Sequence, residues 1–355
     1  MAQKDRRQRR AAQSKADRAR RATGGPRDGR SKRERRRRRT IVVGAAVLVV
    51  VLAAAVVAPL LLTSSSGNTG GTAAEPSLRM QTLLRLPAAS AVASTGSADF
   101  VTDDLRDLLL RFNPATGRTG PSLHLAGRPT ALAVAGGRVW VADMVDNQVV
   151  EVDPTTLHVV RSISVPAGPS DLAVLDGMVW VSSLTAGSVS PVDAHSGKLG
   201  SAVPVAAGAV RLAAGFGALW VTGTTDVVTR VVPATGAGAP TERAVRVGQG
   251  PIGVGTGAGA VWVADAQSGS VSEVNPGTLL VDQHSGVGDD PLSVGVTGGR
   301  VYVGFGTGQT VRTIAPEPVS KVLDIDTDPR QLLAAGGGVW VAGADPGRVL
   351  SVVPG

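Results

Sequence analysis

The stretch GGRVWVADMVDNQVVEVDP, Gly136 to Pro154, decides how the chain is read. Its valines fall in short runs bounded by turn residues, as strands require. Gly136 and Gly137 offer a tight turn ahead of them, where positive φ is tolerated. Taken alone, Trp140 and Asp143 suit a ligand site as well as a packing module. The number of times the stretch recurs separates the two.

It recurs along most of the chain. Aromatics followed by valine fall at Phe100, Trp140, Trp180, Trp220, Trp262, Tyr302 and Trp340, at spacings of 40, 40, 40, 42, 40 and 38 residues. Six units place Gly three residues before the aromatic, and Ser97 fills that place in the first. All seven place an aliphatic residue eight before it, and five place Pro eleven before it. A fixed period near 40 is the signature of a repeat architecture. The aromatics are therefore read as packing between repeats.

The second unit parses into four short strands: Thr130–Ala135, Arg138–Asp143, Gln148–Asp153 and His158–Val165. No helical periodicity competes. Four strands in each unit, seven times over, predict an all-β, seven-bladed β-propeller of four-stranded blades. Seven before the aromatic the residue is Ala or Gly in six units, with Leu333 the exception, as a crowded axis would require. The last unit has three strands and ends at Gly355, while Arg79–Leu86 stands at the fourth-strand offset before Phe100. Residues 79–86 are thus expected to complete the seventh blade and to cover two strand edges.

The N-terminal part is of another kind. Residues 1–40 hold 18 Lys/Arg against four acids, a net of +14, and residues 41–62 hold no charge. The remaining 18 Lys/Arg and 24 acids give 63–355 a net of −6. As a helix, 41–62 would extend ~33 Å, enough to cross a bilayer core. Its length and the long basic region favour an uncleaved signal anchor over a cleaved signal peptide. The Arg run before it predicts the N-terminus inside and the bulk of the chain on the extracytoplasmic side of the cell membrane. The expected domains are a disordered basic cytoplasmic tail (1–40) facing anionic lipid headgroups, a single transmembrane helix (41–62), a flexible linker (63–78) and the propeller (79–355). The tail has no aromatic for base stacking, so nucleic acid is not an expected partner. With no cysteine, thiol nucleophiles, thiolate metal sites and disulfides are excluded.

On these residues, RVWVADMVDNQVVEVDPTT resembles the YVTN-type bacterial propeller repeat, and VYVGFGTGQTVRTI (Val301–Ile314) is a looser copy. The resemblance covers about 79–355 and is similar also to the NHL and streptogramin-lyase group. That group implies histidines and an acid near the channel with a divalent metal. Ten and nine residues before each aromatic, where the axis is entered, no unit has His or Glu. The departure argues against lyase chemistry.

The four histidines fall on outer strands (His124, His284) or outer turns (His158, His195), too dispersed for a triad or a metal site. Neither a catalytic residue, a metal nor a cofactor is expected. The carboxylates carry more. Loops between second and third strands and loops between blades share one face, and both sets are rich in Asp. Asp103, Asp143 and Asp265 stand three residues after their aromatics, and Asp290 and Asp328 stand between blades. With Asp171, Arg211 and Arg330 at the axis they are read as an acidic mouth for a cation, a basic partner or another envelope ligand. Turn chemistry is the bland reading of the same aspartates. The run DIDTDP (Asp324–Pro329) hints at calcium but lacks the Gly and terminal Glu of an EF-hand loop. The expected function is a binding or scaffold module at the cell envelope. A lyase-like enzyme or ligand sensor using the channel mouth is the alternative.

Overall fold

Each repeat is nucleated by the turn its glycine permits. Gly137, Gly177, Gly217, Gly259, Gly299 and Gly337 have φ between 67° and 85°, and the residue before each is also at positive φ, from 50° at Ala258 to 58° at Gly136. Two successive positive φ values define the hairpin turn whose twist matches that of the flanking strands. The first unit departs from this: Gly96 takes φ 82°, and a longer turn is closed by the Thr95 N–H donating to the Ala98 carbonyl (2.9 Å), which leaves Ser97 free of the constraint.

The computed structural model describes residues 77–205, 208–234, 239–316 and 322–355. The basic tail, the apolar span and the linker up to residue 76 lie outside the described residues. Among the described residues no helix is long and apolar enough to cross a membrane. The strands form seven four-stranded antiparallel sheets, six of them built from consecutive strands. The chain is a seven-bladed propeller. In the second blade the strands are Pro129–Ala135, Arg138–Asp143, Gln148–Val152 and Val159–Ser164, within a residue or two of the sequence parse.

The seventh blade closes the ring. Its inner strands are Pro329–Ala335, Gly338–Ala344 and Gly347–Pro354, and its outermost strand is Leu78–Arg85. The register pairs Arg79 with Val353 and Arg85 with Arg348. The first described strand thus covers the edge of the last.

Packing runs between blades. Phe100 clusters with Leu132, Val139 and Val141 of the second blade, Trp140 with Leu172, Val179 and Val181 of the third, and Trp340 with Val92 and Val101 of the first. Trp180, Trp220, Trp262 and Tyr302 each sit likewise in a cluster with the following blade. The indole N–H of Trp140, Trp220 and Trp262 donates to the carbonyl five residues earlier, at 3.1–3.2 Å, so the ring both fills the seam and ties down its own hairpin. Truncating such a ring costs about 3–5 kcal/mol.

The small residue seven before the aromatic has a specific cause. A Cβ on Gly295 would lie 2.8 Å from the Cβ of Leu332, and one on Gly255 3.0 Å from Val294. This position abuts the next blade's aliphatic eight before its aromatic. Leu333 escapes because it packs into the closing seam, against the cluster containing Val92. Around the axis, hydroxyls stitch blade to blade. Ser90 donates to the Pro129 carbonyl (3.1 Å), Thr130 to Pro169 (3.3 Å), Ser170 to Ala209 (2.9 Å) and Ser293 to Pro329 (2.8 Å). Each bond ties the first strand of one blade to the chain entering the next.

Candidate functional site

The position twelve before each aromatic, where the chain enters a blade, rings one mouth of the propeller. It is Arg128, Asp290 and Asp328 in the second, sixth and seventh blades, Gly168, Gly208 and Gly250 in the third to fifth, and Ala88 in the first. The first blade contributes charge instead through Asp104, at the end of its second strand. Both nitrogens of one edge of the Arg128 guanidinium, Nε and Nη2, donate to Asp104 Oδ2 at 3.1 and 2.8 Å. Arg330 Nη1 lies 3.8 Å from the same oxygen, and its Nε lies 3.6 Å from Asp328 Oδ2. The Asp104 side chain is buried, with 5% exposure, whereas the two arginines are half open to solvent. Burial raises the Asp290 carboxyl above the ordinary range, and the charges of Asp328 and Asp289 raise it further.

Behind this face the channel is bridged. Arg211, on the fourth blade, donates from Nη2 to the Arg330 carbonyl on the seventh at 3.1 Å. Those blades stand on opposite sides of the ring, so the guanidinium crosses the axis. Asp171 lies beside it. Its Oδ2 accepts the Leu212 N–H of the next blade at 3.0 Å and its Oδ1 the Leu172 N–H at 2.9 Å. Its pKa is raised by burial, with Arg211 opposing the rise. Gln331 repeats the device, accepting the Val92 N–H across the closing seam at 2.7 Å.

The structure therefore brings Asp171, Arg211, Asp290, Asp328 and Arg330 into one region. It does not bring Asp103, Asp143 and Asp265 there, and their reading as mouth residues is corrected. All three are fully buried. Asp143 Oδ2 accepts the Gly127 N–H (3.1 Å) and Gln148 Nε2 (3.2 Å). A side chain on Gly127 would collide with that carboxylate. Asp265 Oδ2 accepts the hydroxyls of Ser272 (2.7 Å) and Ser270 (3.2 Å), and burial pushes its pKa up to about 6. Asp103 Oδ1 accepts the N–H groups of Leu105 and Arg106, both at 3.2 Å. These aspartates fasten loops and incoming connections from beneath. At the calcium-like run, Asp326 is taken by Arg348 at 2.7 Å, and no cluster of three metal-ligating side chains occurs among the described residues.

Asp104 and Arg128 are the mouth residues that sequence reasoning undervalued. For Arg128 the signal was the twelve-before position, charged in three blades and glycine in three others; Asp104 stands outside it.

No family model matches the chain, and no curated protein matches it in sequence. Solved structures match it in fold. A catalytically inactive virginiamycin B lyase from Staphylococcus aureus, determined with quinupristin, superposes with a TM-score of 0.68 at 13% identity, covering 78% of this chain and 99% of that one. The WD40 repeats of RRP9 give 0.64 at 11%, covering 79% and 98%, and Kuenenia stuttgartiensis hydrazine synthase gives 0.62 at 12%, covering 81% and 99%. At such identities the likeness is one of fold, and propellers host many unrelated activities.

Proposed function

We propose that the chain is a membrane-anchored, extracytoplasmic binding module built on YVTN-type repeats, with the charged side of the mouth as its recognition surface. The observation that carries this is the charged arc on one face, in which ion pairs link Asp328, Arg330, Asp104 and Arg128 in turn and Asp290 stands near enough to Asp328 to feel its charge, while Arg211 bridges the channel behind it. A partner therefore meets a face and not a deep tunnel. Carboxylates outnumber guanidinium groups along this arc, which favours an envelope protein or small ligand bearing a basic group. Leu105 and Val145, exposed on the neighbouring loops, add apolar anchors beside the charges. The recognition is read as non-catalytic: His124 and His284 lie on outermost strands and His158 and His195 in outer turns, away from the mouth. The anchor and its orientation rest on the uncharged 41–62 segment and the basic run before it.

Two measurements test the reading. Fused after Gly355, alkaline phosphatase should be active, as it is only outside the cytoplasm; an inactive fusion in a stable protein removes the topology. Immobilised full-length protein should bind basic envelope proteins or peptidoglycan fragments, and the Asp328→Asn/Arg330→Gln double variant should lose roughly tenfold or more in affinity. Equal binding by the two forms removes the mouth as the recognition surface.

A further inference from the structure

The cross-strand partner of the blade aromatic is charged in four blades: Arg111 opposite Phe100, Glu151 opposite Trp140, Arg230 opposite Trp220 and Glu273 opposite Trp262. In three of them the protein answers the charge. Glu151 is buried and met by Arg138 and Arg161, which also ties the second blade to the carbonyls of His195 and Ser196 on the third. Arg230 lies over the Trp220 ring, 5.8 Å from its centroid. Glu273 accepts or shares a proton with His284 Nε2 at 3.0 Å. Arg111 alone among the four has no protein partner among the described residues.

Its surroundings are shaped to leave it so. Arg111 lines an open groove of about 500 Å³ on the outer part of the first blade, with Asp99, Phe112, Asn113, Arg118 and Thr119 among its walls. Arg111 and Asn113 are two apart on one strand, and Arg118 pairs with Asn113, so all three project from the same face. The register with the outermost strand shifts at Arg111, where Gly120 and Pro121 fall between the partners of Phe112 and Leu110, and Gly120 places no side chain beside it. Arg118 has no protein partner either. Asp99, which also lines the groove, pairs with Phe112, and its Oδ1 takes the Ser94 hydroxyl at 2.7 Å. Asn113 Oδ1 accepts the N–H groups of Ala115 and Thr116, which leaves its amide NH₂ free to donate.

We infer that this groove is a phosphate-binding site, in which Arg111 and Arg118 grip a phosphate monoester or diester with Asn113 donating beside them. A carboxylate has two oxygens and is filled by one guanidinium fork; two forks with a further donor match the larger oxygen set of a phosphoryl group. The phosphate could belong to a soluble molecule or polymer or to a lipid headgroup. This site is separate from the mouth and does not depend on what the mouth binds.

The test uses full-length protein in neutral detergent, titrated calorimetrically with inorganic phosphate and with glycerol phosphate. It is repeated with mixed micelles of that detergent containing phosphatidylcholine alone or with phosphatidylglycerol. Arg111→Gln/Arg118→Gln is compared with Arg243→Gln/Arg246→Gln, which removes the same charge from the fourth blade. Both variants should unfold near the wild-type temperature, since Arg118, Arg243 and Arg246 are exposed and the half-buried Arg111 holds no ion pair among the described residues, and the basic tail contributes equally in every form. The groove variant should bind roughly tenfold or more weakly than wild type and the control variant should not. A groove-dependent difference with glycerol phosphate in solution assigns a soluble source, and one seen only with phosphatidylglycerol micelles assigns a headgroup. Equal behaviour of wild type and groove variant on every probe, or an equal loss in the control, overturns the site.

Discussion

The two sides of the mouth share a backbone and differ in side chains. On the third to fifth blades the entry position is Gly168, Gly208 and Gly250, with φ of 76°, 72° and 65°. On the sixth, Asp290 takes φ 56° in the same place, and the second and seventh blades use Arg128 and Asp328 at ordinary φ. A carboxylate residue can thus adopt the glycine conformation, at a cost of about 1 kcal/mol. The fold tolerates charge at this position without asking for it. Charge confined to one arc of a ring whose backbone repeats is therefore not a requirement of closure.

Three substitutions probe that separation, from the largest effect to the smallest. Asp143→Ala should cost about 3 kcal/mol or more, because it strands the buried Gly127 N–H and the Gln148 amide. Urea unfolding would measure it, and the folded fraction should keep its affinity at the mouth. Loss of affinity in that fraction would erase the distinction between supporting and recognising aspartates.

Asp265→Asn should change the pH dependence of stability. The folded carboxyl titrates at about 6 and the unfolded one near 3.8, so the folded state binds the proton more tightly. Its stabilising contribution is full below about pH 4, falls as pH rises to about 6, and is level above that. A shift of this size is worth up to about 3 kcal/mol. The amide should flatten this slope, which thermal unfolding between pH 4.5 and 7 would reveal; an unchanged slope would mean that another group causes it.

Gly208→Asp places a carboxylate on the glycine side. A Cβ there meets only Leu184 and Thr224, at 3.5–3.7 Å, so the change should cost only about 1 kcal/mol, from the positive φ. Binding of a basic ligand should hold or strengthen modestly. A large loss would show that the uncharged arc takes part in contact.

The blade count, the strand parse and the closing strand were legible because a period near 40 multiplies each weak local signal by seven. The mouth was legible in part. Asp290, Asp328 and Arg330 stand out beside the repeat's proline, whereas Arg128 reads as an ordinary loop residue until its partner Asp104 is placed. Asp103, Asp143 and Asp265 misled for a physical reason. An aspartate at a strand end looks the same in sequence whether it faces water or accepts N–H groups from a connection passing over it. For two of them the clue was remote: Gly127 and Gly248 keep those connections free of side chains, and a Cβ on Gly248 would lie 2.5 Å from Asp265 Oδ2.

The clasp between Leu78–Arg85 and Gly347–Pro354 gives the chain an order of events as well as a shape. Of the propeller strands, the closing one is synthesised first and its partner last. Until then one hydrogen-bonding edge stays open at each end of a growing arc, during the interval in which wrong pairings form. The final blade also needs the longest loop closure in the ring, which makes completion slow relative to the hairpins before it. Loss of the last few residues would therefore act on every blade at once, by leaving the circle without its final join.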